Sequence, residues 1–475
     1  MGPQSHRAER PLVVKPAEPA RKRHPSSKNR PHPAPASVPG LAARKAAVRL
    51  LGAVIDARTP LDGLTDNEHG HPHYMALDMR DRALVRAMLG AALRHRMTIT
   101  ALLAKRLQKP LPANATALAH ILHIAAAQIL FLDVPDSAAV DLAVTHAKSD
   151  PRTQRFAGLV NAVLRALSRA KEKELGTALA ATDDAPDWFA ARLAQAYGIG
   201  EARAILAAHR LETPFDLTVK AEPQMWAERL GGIVLPTGTV RIERLDGAVT
   251  ELPGFEDGEW WVQDAAAALP ARLMGDIAGR KVADLCAAPG GKTAQLILAD
   301  ADVTAVDASQ SRLKRLARNL ERLGLKATVV HSDLMDFAPP ELFDAVLLDA
   351  PCSSTGTVRR HPDVPWTKTP EDIARLAALQ RRLLDRAFTL IRPGGIVLFS
   401  NCSLDPLEGE ELVAGFLADT PGAELDPVSP QEIPGIAGFV TAKGMLRTTP
   451  AGLDMGSPAL SGLDGFFAAR LKKRG

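Results

Sequence analysis

The chain has 475 residues, of which 46% are hydrophobic and 24% charged, and its net charge is +4. This length predicts two or three domains with sizeable cores, while the near balance of charge indicates no particular partner. Three cysteines are too few for a disulfide framework and favour a reducing compartment. Neither a membrane-length apolar run nor a signal-peptide core is found. We therefore expect a cytoplasmic protein outside the membrane, with a monomer as the simplest assembly.

Residues 1–40 form a basic segment rich in proline, lysine and arginine. Little in this segment can build a core, so its composition predicts disorder. The stretch 21–30 is either a solvated tail or a loose electrostatic tether to RNA phosphates.

Residues 41–173 carry apolar side chains at helical spacing, and strand signals are scarce there. Val48, Leu51 and Ile55, for example, fall on one helical face. The pattern predicts a helical bundle.

Residues 174–260 mix helical and extended patterns and predict a small adaptor domain. Within it, residues 186–210 are typical of two short helices. Residues 213–220 and 238–245 are typical of strands bounded by proline and glycine.

Between residues 261 and 475, short apolar runs alternate with helical patterns. That alternation predicts an α/β domain with a doubly wound, Rossmann-like sheet of parallel strands. The runs that we expect to form strands are 281–285, 303–306, 327–330, 345–348 and 396–399.

The loop after the first of these strands is suited to bind a nucleotide, because paired glycines let a backbone approach a ligand and the next helix offers free N–H groups. A Walker A loop is excluded, since Cys286 stands where its first glycine is needed, and the pattern Gly-x-Gly-x-x-Gly is absent. What remains is the S-adenosylmethionine loop of a Rossmann-like methyltransferase. The predicted cofactor-binding loop consists of Cys286, Ala287, Ala288, Pro289, Gly290, Gly291 and Lys292.

Three carboxylates after later strands are expected to complete this cofactor site. Asp307 ends the second strand, where a carboxylate can accept both ribose hydroxyls. Asp333 follows the third strand and is expected to accept from the adenine amino group. For both, the alternative is a helix N-cap. Asp349 ends the fourth strand and is suited to hydrogen-bond the target base and the cofactor amine.

Cys352 and Cys402 come just after the fourth and fifth strands, at the edge where open α/β sheets place their sites. A random cysteine is usually a small buried hydrophobe, but two at adjacent strand ends indicate chemistry. A thiolate can add to C6 of cytosine, which makes C5 nucleophilic enough to take a methyl group. The spacing does not settle which cysteine attacks. Such attack needs an unstacked base, which favours a loop or partly assembled RNA over a duplex.

These motifs resemble those of the NOL1/NOP2/Sun family of RNA cytosine-5 methyltransferases over residues 213–472. The resemblance implies that Cys402 is the nucleophile, that Cys352 assists product release and that Cys286 has no chemical role. Three positions depart from the family pattern: Asn401 stands in place of the more usual threonine, Ser354 in place of glycine and Gly409 in place of asparagine. The change at Asn401 is expected to affect the rate of the reaction more than its type. The matching segments are Val262-Gln263-Asp264, Asp349-Ala350-Pro351-Cys352-Ser353, Arg359-Arg360-His361-Pro362-Asp363, Ser400-Asn401-Cys402-Ser403 and Asp464-Gly465-Phe466-Phe467-Ala468-Ala469-Arg470-Leu471.

Residues 41–173 are similar to a NusB-like RNA-binding domain. The similarity is carried by residues 155–165 together with 134–135 and 138–143, where Asp141 replaces a more usual glutamate. A NusB-like domain ahead of such a catalytic domain resembles the bacterial 16S ribosomal RNA cytosine-5 methyltransferases. The resemblance implies small-subunit ribosomal RNA as the partner.

Two alternatives stay open. The same chemistry can act on transfer RNA or 23S ribosomal RNA, or the chain can be a noncatalytic RNA-binding assembly factor with a relic fold. Retention of both late cysteines with Asp307 and Asp349 argues against a relic. No metal is predicted, because His71, His73 and His361 lack ligand spacing.

Overall fold

The computed structural model describes residues 38–245 and 247–475, so the predicted basic tail lies, up to residue 37, outside the described residues. Residues 41–181 form a helical bundle, as predicted, and α8 continues beyond residue 173, where we place the end of the domain. The helices are α1 (Leu41–Ala57), α2 (Leu61–Leu64), α3 (Pro72–Met75), α4 (Met79–Arg94), α5 (Arg96–Ala104), α6 (Thr116–Phe131), α7 (Asp136–Ser149) and α8 (Ala157–Ala181).

Helix α6 lies at the centre of this bundle and contacts α1, α4, α5, α7 and α8. Its apolar residues therefore occur on all sides, and Ile121, Leu122, Ile124 and Ile129 are all buried. The outer helices bury one stripe each against it. Helix α9 (Asp187–His209) follows the bundle and is divided into two helices by Gly198 at φ 79°, which confirms the predicted pair.

A small antiparallel sheet with strand order β2-β3-β1-β4 forms the adaptor. Trp226 and Trp260 pack in its core. The buried Arg241 guanidinium pairs with Asp216 at 2.7 Å, which offsets the cost of burying both charges. We place the end of the adaptor at residue 260, and strand β4 extends beyond that residue. The elements are β1 (Phe215–Val219), α10 (Pro223–Leu230), β2 (Ile233–Val234), β3 (Val240–Ile242) and β4 (Trp260–Val262).

The C-terminal domain is built on a sheet with strand order β10-β12-β9-β8-β5-β6-β7, and β11 pairs with β12. The five strands from β9 to β7 are parallel, as predicted. Strands β10, β11 and β12 are antiparallel, so the sheet is mixed. The elements are α11 (Leu269–Arg272), β5 (Lys281–Leu285), α12 (Gly291–Leu298), β6 (Asp302–Asp307), α13 (Gln310–Arg322), β7 (Thr328–His331), β8 (Phe343–Asp349), α14 (Val364–Thr367), α15 (Pro370–Thr389), β9 (Ile391–Asn401), α16 (Glu410–Asp419), β10 (Ala423–Leu425), β11 (Leu446–Thr448) and β12 (Phe466–Lys473).

Helices cover both faces of this sheet. Val346 and Leu348 of β8 belong to a core shared with α15 and α16, whereas Ala345 and Leu347 belong to a core shared with α11 and α12. This alternation follows from the two-residue period of a strand. Because both faces are buried, the strands are continuously apolar, which is why the sequence reveals them.

Candidate active site

The candidate site lies where the strand order of the sheet reverses. Strands β5 and β8 are parallel neighbours, but the chain runs from β5 outwards through β6 and β7 before it returns to β8. The loops after β5 and β8 therefore leave in opposite directions and open a crevice at their carboxyl ends. The predicted cofactor-binding loop and Asp349 lie at this point.

Packing requires the glycine pair of the cofactor-binding loop. Gly290 has φ +102°, and a Cβ there would lie 3.0 Å from Cγ of Leu316. A Cβ on Gly291, the first residue of α12, would lie 3.3 Å from Nε1 of Trp261. The backbone N–H of Ala288 donates to Asp307 at 3.2 Å. Neighbouring elements therefore fix the loop on several sides.

Two buried acidic or thiol groups lie in or beside this loop. Burial raises the pKa of Cys286 to about 12, so its thiol is neutral at physiological pH. Burial also raises the pKa of Asp284 to about 7. One oxygen of Asp284 accepts from Thr293 Oγ1 at 2.6 Å, while Oδ1 has no hydrogen-bond partner among the described residues. Asp284 was not predicted from the sequence, although an acidic residue inside a buried strand is a usable signal.

The acceptors at this edge fit S-adenosylmethionine, whose ammonium, ribose hydroxyls and adenine amino group are all donors. Carboxylates lie at or near the carboxyl ends of four adjacent strands, at Asp284, Asp307, Asp333 and Asp349. Asp307 is buried and accepts from the N–H of Ser309 at 2.9 Å as well as from Ala288. Asp333 is exposed and accepts from the N–H of Met335 at 2.9 Å, so in this structure it caps a turn. Oδ1 of Asp284, which no described residue engages, adds a further acceptor.

Lys292 lies at the boundary between the cofactor loop and the cysteines. Its ammonium nitrogen is 2.7 Å from Oδ2 of Asp349 and 5.0 Å from the centre of the Phe466 ring. The other oxygen of Asp349 accepts from Ser400 Oγ at 3.0 Å. A lysine predicted only as part of the cofactor loop thus also reaches the residues beside Cys402.

The structure brings Cys352 and Cys402 together, with their Sγ atoms 3.4 Å apart. The contact between them stabilises a thiolate on Cys402 and lowers its pKa, to which Ser354 Oγ, 3.7 Å away, and the charge of Lys292 also contribute. The same contact, together with burial, raises the pKa of Cys352 well above its ordinary value. One thiol thus carries the proton that favours a thiolate on the other.

Asn401, one of the three departures from the family pattern, makes three hydrogen bonds beside the cysteines. Its amide donates to Gln380 at 3.0 Å and to the carbonyl of Glu408 at 2.7 Å, and its oxygen accepts from the N–H of Ser403 at 3.0 Å. Asn401 is therefore satisfied in the interior and fixes the backbone on the C-terminal side of Cys402.

The segment after Cys352 connects the site to the other domains. The guanidinium of Arg360 binds Asp264 and Asp464. His361 Nδ1 lies 3.2 Å from Asp62, in the helical bundle. Past Cys402, Arg192 of α9 pairs with Asp405. Arg192 was not predicted from the sequence, because no local pattern reveals a partner more than two hundred residues away.

Within residues 38–245 and 247–475, no group of three or more His, Cys, Asp or Glu is arranged to hold a metal ion. In the same ranges, every helix is too short or too polar to span a bilayer.

The reversal of strand order, the glycine loop and the carboxylates at the strand ends define a Rossmann-like, S-adenosylmethionine-dependent methyltransferase. A family model described as 16S rRNA methyltransferase RsmB/F matches residues 276–472, and one described as the NusB family matches residues 41–169. Ribosomal RNA small subunit methyltransferase B of Salmonella typhi is 34% identical over 414 residues, which cover 83% of this chain and 91% of that protein. The chain belongs to the RsmB/F family of RNA methyltransferases.

Two further comparisons agree with this family. Ribosomal RNA small subunit methyltransferase B of Vibrio cholerae is 36% identical over 380 residues, covering 75% of this chain and 87% of that protein. A crystal structure of a methyltransferase homolog protein from Pyrococcus horikoshii is 28% identical, with a TM-score of 0.51, over 60% of this chain and 94% of that one. The predicted fold class, the enzyme class and the S-adenosylmethionine cofactor are confirmed.

Proposed function

We propose that this enzyme methylates C5 of a cytosine in 16S ribosomal RNA through a covalent bond between Cys402 and C6 of the base. The observation that carries the proposal is the pair of Sγ atoms 3.4 Å apart, beside the cofactor-binding loop. The names of the two relatives, which specify the small ribosomal subunit, support the choice of RNA. In this proposal residues 41–173 bind RNA, residues 174–260 connect the domains and residues 261–475 catalyse, as a cytoplasmic monomer.

The two cysteines take different parts in the reaction. The Cys402 thiolate adds to C6, so the electrons of the C5–C6 double bond become available at C5. The cofactor, when bound, supplies an electrophilic methyl group. After the methyl group has moved to C5, loss of the C5 proton restores the double bond and expels the Cys402 thiolate. The C5 proton passes to solvent, and Cys352 assists the release as an acid, because its raised pKa keeps a proton on the thiol that lies 3.4 Å from the departing sulfur of Cys402.

The cofactor-binding assignments rest on the placement of acceptors. The loop from Cys286 to Lys292 would enclose the cofactor, with the N–H groups at the start of α12 directed to its carboxylate. Asp307 would accept the ribose hydroxyls, and Asp333 the adenine amino group. Asp349, anchored by Lys292 and Ser400, would hydrogen-bond the base and the cofactor amine.

In the test, unmodified transcripts of 16S, 23S and transfer RNA are each incubated with the purified enzyme and labelled S-adenosylmethionine. Mass spectrometry of the digested RNA identifies the methylated nucleoside and its position. We expect 5-methylcytosine in the 16S transcript or in a partly assembled small subunit. Methylation of another RNA would overturn the substrate, and another methylated nucleoside would overturn the chemistry. RNA binding without S-adenosylmethionine binding would favour the noncatalytic assembly factor.

A further inference from the structure

A buried glutamate joins the two loops that carry the cysteines. Glu408 is fully buried on the short helical turn after Cys402. Its Oε1 accepts from the backbone N–H of Ser353 at 2.9 Å. Its Oε2 accepts from the hydroxyls of Ser353 and Ser403, the latter at 2.5 Å. Because these serines directly follow Cys352 and Cys402, a single carboxyl group bridges the two loops.

The cluster around Glu408 is hydrogen-bonded throughout. Gln380 of α15 donates to Oε1 of Glu408 at 2.7 Å, which ties the carboxyl to a helix. Thr355 Oγ1 contacts Ser403 Oγ at 3.0 Å and accepts from the N–H of Leu404 at 2.9 Å. Buried networks in which each member is satisfied specify one geometry, and the loss of one member is costly. The positions of Cys352 and Cys402 are therefore set together.

The charge of Glu408 also acts unequally on the two thiols. Its proximity contributes to the raised pKa of Cys352, while Lys292 contributes to the lowered pKa of Cys402. The charged groups that act on the pair thus include Glu408 for Cys352, and Lys292 and Asp349 for Cys402. Burial raises the pKa of Glu408 itself, and the hydrogen bonds from Ser353, Ser403 and Gln380 oppose that shift.

We propose that Glu408 is a positioning residue that holds the two cysteine loops in contact and keeps the thiolate on Cys402 rather than on Cys352. The catalytic consequence of this inference rests on the proposed function, but the effect of Glu408 on the two cysteines can be tested without RNA. Glu408 acts through Ser353 and Ser403 and does not itself contact the base.

The experiment compares Glu408→Gln with Glu411→Gln, a matched control whose exposed side chain lies on the first turn of α16. Folded protein is treated with iodoacetamide at neutral pH, and mass spectrometry gives the ratio of labelled Cys402 to labelled Cys352. We expect Glu408→Gln to lower this ratio by about 10-fold, the effect of one pKa unit. Turnover should fall by about 100-fold with little change in KM for RNA, because misplaced reacting groups cost rate rather than binding. Glu411→Gln should match the wild type.

Failure of the positioning role and failure of the proposed function would give different results. An unchanged labelling ratio in folded Glu408→Gln protein would overturn the positioning role. A lowered ratio with normal methylation would instead overturn the proposed roles of the cysteines and leave the positioning role standing. If Glu408→Gln does not fold, Ser403→Ala takes its place. This variant removes one donor to Glu408 and should shift the ratio in the same direction, and an unchanged ratio there would overturn the inference.

Discussion

Lys292 and Asp349 form a direct ion pair, with 2.7 Å between Nζ and Oδ2, beside the thiol of Cys402. Lys292 lowers the pKa of Cys402 and Asp349 raises it. Replacing Lys292 and replacing Asp349 should therefore shift the pKa of the Cys402 thiol in opposite directions. Lys292→Met should slow alkylation of Cys402 at neutral pH, and Asp349→Asn should accelerate it.

Both variants should nevertheless lose methyl transfer, by about 100-fold, because each removes a group that orients the reacting partners. The measurement pairs the labelling rate of Cys402 with the methylation rate. Lys281→Met serves as the control, since Lys281 pairs with Glu341 at the opposite end of β5. A change of the Cys402 labelling rate in the same direction in both variants would contradict the electrostatic explanation.

Ser354 should destabilise the fold through backbone strain and make Cys402 more reactive. Its φ of 59° is left-handed, which costs a non-glycine residue about 1 kcal/mol, and its hydroxyl lies 3.7 Å from Cys402 Sγ. Ser354→Gly should relieve the strain but loses a similar amount through the flexibility of the unfolded chain, so stability should change by less than about 1 kcal/mol. Labelling of Cys402 should slow, since the hydroxyl lowers the pKa of that thiol.

Ser354→Ala separates the two effects on Ser354. It should slow labelling as much as glycine does, while it keeps both the strain and the ordinary flexibility of the unfolded chain. Wild-type labelling rates in both variants would show that the hydroxyl does not act on Cys402.

Gly409 should be required by the packing of Arg447. A Cβ at this position would lie 2.5 Å from Nη2 of Arg447 and 3.1 Å from Cγ of Phe467. Arg447 pairs with Glu410 at 2.7 Å and donates to the carbonyl of Ser403 at 2.5 Å. Gly409→Asn should displace this guanidinium and cost about 1–3 kcal/mol in the free energy of unfolding.

Denaturant unfolding measures that cost. Gly422→Asn is the control, because a Cβ on Gly422 meets no atom within 4 Å. Equal stability of the two variants would show that Arg447 repacks freely around the new side chain.

The contact between His361 and Asp62 should make the docking of the helical bundle depend on pH. Burial lowers the pKa of His361, but the hydrogen bond and charge of Asp62 outweigh it and raise the pKa above its ordinary value. Because the folded pKa is raised, the stabilisation is present below the unfolded value near 6.5 and is lost as pH rises through the folded value. His361→Gln should therefore lower Tm more in mildly acidic than in alkaline buffer.

The size of this effect should be small, about 1 kcal/mol or less, because Asp62 has a side-chain exposure of 75%. Thermal unfolding of wild type and variant over this pH range provides the measurement. A Tm difference that grows with pH would contradict the assignment.

Local patterns in the sequence predicted the elements that position the cofactor loop. The strands β5, β6, β8 and β9 are apolar because helices cover both faces, so each stands out against its neighbours. Strand β10 has three residues and is stabilised by pairing with β12, far along the chain, which leaves no local signal. The long helix α8 likewise carries no break at residue 173.

Candidate site residues could be predicted where their place depends on a position along a strand, but not where it depends on contacts between loops. Cys352 and Cys402 follow two strands, and their approach follows from the parallel pairing of β8 with β9. Glu408 resembles a surface glutamate in the sequence, since its burial arises from Ser353 and Gln380 on other elements. Only the folded chain brings those donors together.

The proposed attack of Cys402 on cytosine C6 is tested most directly by trapping its covalent product. Cys352→Ala protein is incubated with unmodified 16S RNA and S-adenosylmethionine and then analysed by denaturing electrophoresis, with Cys352→Ala/Cys402→Ala as the control. A protein–RNA adduct that the double variant abolishes is the predicted result, because release is slowed while the nucleophile is intact. Absence of the adduct, while the wild type methylates the same RNA, would contradict the assignment of the two cysteines.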